Sequence, residues 1–124
     1  MHELGITRSV VSIVMEHAQG RAVSRVVLEI GSLAGVMPDA VLFCFDVVVK
    51  GTPLEGATLE IRHIEARARC RDCGEAFTQT TLFDPCPCGS RSIERISGEE
   101  LNIKEFELGP AEAQARKEPA DVIG

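Results

Sequence analysis

Apolar residues recur at Ile6, Val10, Ile13, Val14 and Ala18, the spacing of one face of a helix. The stripe predicts a helix from Leu4 to about Gln19. Gly20 is its natural stop, because glycine accepts the left-handed backbone that ends helices. From Val23 to Gly31 the period changes to two: Val26, Leu28 and Ile30 alternate with Arg25, Val27 and Glu29, which predicts a strand with one better-buried face. A second helix is predicted from Pro38, whose fixed φ and missing N–H suit a first turn. Asp39 adds a negative charge where the helix dipole favours it. Val41, Leu42, Phe45, Val48 and Val49 would form its packing face, with Lys50-Gly51 at its end. Cys44 lies in this helix and reads as a small buried hydrophobe.

Beyond the second helix the alternation breaks phase twice. A strand predicted over 58–69 runs Leu59, Ile61 and then Ile64, Ala66, Ala68; one over 101–108 runs Leu101, Ile103 and then Phe106, Leu108. Matching shifts predict neighbouring strands that share a bulge. The cysteine-rich segment between them is then an insertion hanging from two adjacent strands. The expected fold is α/β (α+β): two helices on one face of a small three-stranded sheet, with an inserted four-cysteine zinc-ribbon-like module. Residues 1–69 plus 99–108 would form the α/β domain, 70–98 the module and 109–124 a disordered tail rich in Ala, Glu, Pro and Lys.

Composition narrows the functional classes. With no Trp or Tyr and five Phe, the core must be mainly aliphatic. A net charge of −6 opposes the wholesale phosphate neutralisation on which nucleic-acid binders depend. No apolar run approaches the ~20 residues of a membrane span. Met1-His2-Glu3-Leu4 lacks the basic start and apolar stretch of a signal peptide, so the cytoplasm is the expected location. Thiols stay reduced there, and clustered cysteines then read as metal ligands or redox groups.

Four of the five cysteines form two close pairs, Cys70-Arg-Asp-Cys73-Gly74 and Cys86-Pro-Cys88-Gly89, with twelve residues between the pairs. Each pair can set two sulfurs on one tetrahedral ion while its glycine lets the backbone turn beneath them. A closed four-sulfur shell suits structural zinc. A redox dithiol would need only one pair, and an iron–sulfur cluster takes the same thiolates, so spacing alone leaves both readings open. Phe77, Leu82, Phe83 and Ile93 are too few to fold this segment without a metal. The second pair is shorter than Cys-x-x-Cys and leaves less backbone to offer N–H groups to its sulfurs.

The amino terminus is a second candidate. The α-amine of Met1, the amide nitrogen of His2 and its imidazole can close two fused chelate rings around one ion. Such nitrogens favour the planar geometry of Ni(II) or Cu(II) over zinc. Glu3, Asp39, solvent or another molecule would complete the set. A terminal histidine that is simply solvated is the common alternative. His17 reads as a partly buried helix residue and His63 as a strand residue at the phase shift, neither a strong ligand.

The opening Met1-His2-Glu3-Leu4, the stretch Val26-Val27-Leu28-Glu29-Ile30-Gly31, the cysteine pairs through Ser90, and Ser97-Gly98-Glu99-Glu100-Leu101-Asn102-Ile103-Lys104 occur here in one order. Together they resemble the HypA/HybF family of hydrogenase nickel-incorporation proteins from Met1 to about Leu108. The resemblance implies a metallochaperone, not an enzyme, that binds Ni(II) at its terminus and helps load it into [NiFe] hydrogenase precursors. His2 would be the principal nickel ligand, with Met1 and Glu3 contributing, and Cys70, Cys73, Cys86 and Cys88 would bind structural Zn(II). Expected partners are the maturation GTPase of the nickel-insertion system and the hydrogenase large-subunit precursor, with urease maturation proteins for some members. A homodimer is compatible with this reading; nucleic acid and membrane are not expected partners. The family commonly has Cys-x-x-Cys in both pairs, so Cys86-Pro87-Cys88 is a departure.

Two other classes compete with this reading. Arg67, Arg69, Arg71, Arg91 and Arg95 surround the cysteines, as in a zinc-ribbon module that binds nucleic acid or protein. Asp72, Glu75, Asp84 and Glu94 interleave with them, however, and stacking aromatics are sparse. A zinc hydrolase would need an open coordination position, and the cysteine segment contains no histidine.

Overall fold

The computed structural model describes residues 2–109 and 117–118. The first helix, α1, spans Glu3–Ala18 and buries Thr7, Val10, Val11, Val14 and Ala18, while Ile6 and Ile13 pack at the margin. Thr7 is tolerated inside because its hydroxyl donates to the Glu3 carbonyl at 2.7 Å. The helix ends at Ala18, one residue short of the expected end: Gln19 itself caps it in the left-handed region at φ 54°, and Gly20 follows at φ 80°. His17 is exposed rather than partly buried.

Strand β1, Val23–Gly31, has the predicted bounds, and α2, Pro38–Val48, begins at the predicted proline. In α2 the packing face is narrower than the pattern implied. Val41, Phe45 and Val49 are buried, Val48 and Cys44 half-buried, and Leu42 exposed. Strand β2, Thr58–Ile64, returns parallel to β1, with Leu28 opposite Ile61 and Ile30 opposite His63. Strand, helix and parallel strand make a βαβ unit, the connection a parallel pair requires.

The expected long strand over 58–69 is two strands in two sheets. After β2 the chain turns at Glu65-Ala66, and β3, Arg67–Cys70, joins β4, Ala76–Thr78, and β5, Ile93–Ser97, in the order β4-β3-β5. The chain then re-enters the first sheet as β6, Leu101–Leu108, antiparallel to β1. With the short β7, Lys117–Glu118, the order is β2-β1-β6-β7. The strands expected to be neighbours are thus separated by β1. The shift in β6 is a true bulge, but against β1. Val27 faces Glu105 and Leu28 faces Ile103, which leaves Lys104 as the extra residue. The shift after Ile64 is instead the exit into the second sheet.

The tail expected to be disordered falls mostly outside the described residues. Within them, the Gly109 N–H donates to the Ala22 carbonyl at 2.8 Å, and Lys117–Glu118 pair with Glu107 and Phe106.

Both helices cover one face of the first sheet. Val26, Leu28 and Ile30, with Ile103, Phe106 and Leu108, join the helix residues and Leu54 in one aliphatic core. The opposite face is charged. The Arg25 guanidinium reaches Glu60 at 2.5 Å and Glu107 at 2.8 Å, and Arg62 binds Glu60 at 2.9 Å.

The two sheets meet where Gly31, Ala66 and Gly98 cross. A Cβ on Gly31 would stand 2.2 Å from the carbonyl carbon of Gly98, and one on Gly98 would stand 2.5 Å from the Ala66 Cβ. The close approach lets Leu33 N–H bond Gly98 O at 2.7 Å and Gly31 N–H bond Glu100 O at 2.8 Å. Gly31→Ala is therefore expected to cost about 3 kcal/mol or more, since the obstructing atoms are backbone and cannot rotate aside. Urea denaturation of the full chain checks this; an unchanged midpoint would mean that the crossing is not tight.

Candidate metal centre

The second sheet has a small core of its own: Ala68, Cys70, Phe77 and Cys86, with Ile93 against them. Half of its fully buried members are thus cysteines, and their sulfurs turn toward those of Cys73 and Cys88. All four Sγ atoms lie within 4.8 Å of one another. The Cys70–Cys88 and Cys73–Cys86 separations are 3.7 and 3.6 Å. A tetrahedral ion with sulfur bonds of ~2.3 Å spaces its ligands ~3.8 Å apart, so this cage fits a single thiophilic ion.

Each cysteine pair sits on a tight turn closed by its glycine. Gly74, at φ 79°, donates to Cys70 O at 3.0 Å, and Gly89, at φ 95°, donates to Cys86 O at 2.7 Å. The Cys73 N–H points at the Cys70 sulfur at 3.4 Å, and the Cys88 N–H at the Cys86 sulfur at 3.5 Å. The short second pair therefore keeps one sulfur-directed amide. Pro87 has no N–H to add, whereas Cys70 also receives the amide of Asp72.

The thiols respond to this asymmetry. The amide of Cys73, assisted by that of Asp72, lowers Cys70 to about 6. Cys86 is pushed up to about 12, because burial and the three neighbouring thiols outweigh the Cys88 amide. Cys73 is also raised: its hydrogen bonds from the Glu75 amide and Cys86 lose to burial and the Cys70 and Cys88 thiols. Crowded thiols resist joint ionisation, and a cation that binds them displaces the protons.

The five arginines are struts, a role their sequence pattern did not reveal. Arg69 donates to Gly74 O at 3.0 Å, Arg71 to Ile93 O at 2.7 Å and Arg91 to Phe83 O at 3.2 Å. Arg95 binds Gln79 Oε1, Leu82 O and Glu99, and Arg67 binds Thr78. Loop carbonyls in so thin a module have few backbone partners, and guanidinium groups supply several donors each. Asp84 does the same for donors, accepting from the hydroxyls and amides of Thr80 and Thr81. Those bonds hold its carboxyl well below the usual carboxylate range.

At the other end of the molecule, His2 is exposed at the head of α1, where its carbonyl accepts the Ile6 N–H at 3.1 Å. Met1 lies outside the described residues. The Glu3 carboxylate accepts the Met37 N–H at 3.0 Å, which joins the starts of α1 and α2 and lowers the Glu3 carboxyl. Asp39 and His63 line a groove of about 520 Å³ with Met37, Leu42, Leu59 and Ile61. Among the described residues, only the four cysteines bring three or more such ligand atoms together; His2, Glu3, Asp39, His17 and His63 form no cluster.

An α/β domain with an exposed amino-terminal histidine, joined to a four-cysteine module with its own core, defines a small two-part metal-binding protein. Residues 1–108 match the family described as hydrogenase/urease nickel incorporation, metallochaperone, hypA. The chain belongs to this HypA family. It is 56% identical over 108 residues to a hydrogenase maturation factor HypA of a Nostoc species, covering 87% of this chain and 96% of that one. It is 50% identical over 109 residues to the factor of Geotalea uraniireducens, covering 87% and 99%. The fold is that of the Ni metallochaperone HypA from Helicobacter pylori in solution, with a TM-score of 0.61 at 23% identity over 87% of this chain and 97% of that one. A second solution structure of a HypA protein gives 0.63 at 24%, over 88% and 97%. No helix among the described residues is long and apolar enough to cross a membrane.

Proposed function

We propose that this chain carries Ni(II) at its amino terminus and delivers it to the precursor of a [NiFe] hydrogenase large subunit, working with a maturation GTPase. A structural Zn(II) held by Cys70, Cys73, Cys86 and Cys88 shapes the second sheet. The observation that carries this reading is the family match, which spans residues 1–108 and so includes His2 as well as the cysteines. Nickel is cargo, not a reactant. His2 and the amine of Met1 would hold it, and the exposure of His2 suits transfer to another protein. The Glu3 carboxylate would contribute a charge beside the ion while its bond to Met37 holds the two helix starts together. Delivery to urease maturation proteins remains within the same chemistry.

Acetylating the α-amine tests this reading without altering a side chain. Nickel affinity, measured by calorimetric titration, is expected to fall at least tenfold, about 1.4 kcal/mol, with zinc content unchanged. Equal affinity for both forms would remove the amine from the site.

A further inference from the structure

Strand β2 is the terminal strand on its side of the first sheet. The Ile64 carbonyl accepts the Ser32 N–H at 2.9 Å, so Ile64 turns its backbone groups toward β1. By the alternation of a strand, Glu60 and Arg62 do likewise. The N–H and C=O groups of Leu59, Ile61 and His63 therefore point out from the sheet edge. Unpaired edges of this kind are templates for another strand, and proteins normally blunt them with charged side chains, Pro, a bulge or a cover; the charges on β2, Glu60 and Arg62, neutralise each other at 2.9 Å. Thr58–Ile64 contains no Pro or Gly, and among the described residues none pairs with its outer side.

We propose that this edge pairs antiparallel with the same edge of a second copy of the chain, about a two-fold axis at Ile61. Register is decided by charge. Centring on Glu60 or on Arg62 would set like charges directly opposite each other. Centring on Ile61 sets Glu60 of each copy opposite Arg62 of the other, twice over by symmetry. It also makes Ile61 a hydrogen-bonded pair with its own counterpart and Leu59 one with His63, so every outward N–H and C=O of these three residues finds a partner. Glu60 and Arg62 then occupy the non-hydrogen-bonded positions, where cross-strand side chains are closest. On the helix-covered face the joined strands set Ile61 beside Ile61 and Leu59 beside His63. That extends the apolar floor of the groove beneath Met37 and Leu42, which are 65% and 39% exposed.

The test uses the zinc-loaded full chain. Sedimentation velocity is expected to show a reversible dimer, and hydrogen exchange a concentration-dependent protection of the Leu59, Ile61 and His63 amides. The Glu60 and Arg62 amides, already bonded to β1, should not change. Isotope-filtered NMR should give an intermolecular contact between the α-protons of Glu60 and Arg62. Arg62→Glu and Glu60→Lys are each expected to raise the dissociation constant at least tenfold, because each sets like charges opposite. Mixing the two variants restores opposite charges across the joint and should restore association. A monomer at every concentration, a dimer that leaves those three amides unprotected, or a mixture no tighter than its components would overturn the proposal. So would protection appearing only with a maturation partner, which would give the edge to that partner.

Discussion

Zinc-free protein is expected to lose the second sheet while keeping both helices. The reason lies in the composition of the module's core. Of its four buried residues two are cysteines, and the apolar remainder is Ala68 and Phe77 with Ile93 alongside. Burying Phe77 is worth about 1.5–3 kcal/mol, whereas ordering each backbone residue costs ~1–2 kcal/mol. A module of this length cannot be held by such a core, and structural zinc sites contribute on the order of 10 kcal/mol of binding free energy to folding. The α/β domain has a separate core drawn from α1, α2, β1 and β6. Chelation, or Cys86→Ser, should therefore collapse the dispersed NMR signals of Ala68, Phe77 and Ile93 and release zinc measurable by elemental analysis. Far-UV circular dichroism should keep its helical signal, since both helices belong to the other core. Dispersed signals from Phe77 in metal-free protein would refute the assignment of zinc as the module's main support.

The two halves of the molecule were legible in the sequence for different reasons. Period and punctuation report local geometry, and they located β1 and the proline start of α2 closely. Cysteine spacing reports a shared ion, and the four sulfurs do converge. Strand order was not legible from period, because alternation says which face a residue takes and nothing about its neighbour. The phase shifts at Ile64 and Lys104 look alike in the sequence, yet one is a change of sheet and the other a bulge. A better signal was present: strand, helix and strand over 23–64 form a βαβ pattern, which points to β1 and β2 as parallel partners. That order leaves β6 to take the other side of β1. The role of the arginines was hidden because a guanidinium that satisfies a loop carbonyl and one that awaits a phosphate have the same sequence pattern. Only the distances to Gly74, Ile93 and Phe83 separate them.

His2→Ala is expected to weaken nickel binding about 100-fold, on the order of 2.8 kcal/mol, without loss of zinc or of the fold. The substitution keeps the terminal amine and the backbone amide but removes the imidazole that would close the second chelate ring. The side chain of His2 is exposed at the head of α1, and only its backbone carbonyl serves the helix. Stability should thus be unchanged while affinity falls, a separation that a folding defect would not produce. A second variant sharpens the test. Adding one glycine ahead of Met1 makes the histidine third in the chain, so the amine, two amides and the imidazole supply all four corners of a planar site. That form should bind Ni(II) more tightly than the native terminus, show the visible absorption of a four-nitrogen planar complex, and surrender the metal more slowly to a competing chelator. On the proposed reading the native terminus would supply three nitrogens and leave one position for a carboxylate, water or a receiving protein. The proposed role as a carrier depends on that incomplete shell. Equal release rates for the native and extended termini, or nickel binding indifferent to His2→Ala, would move the cargo site away from the amino terminus.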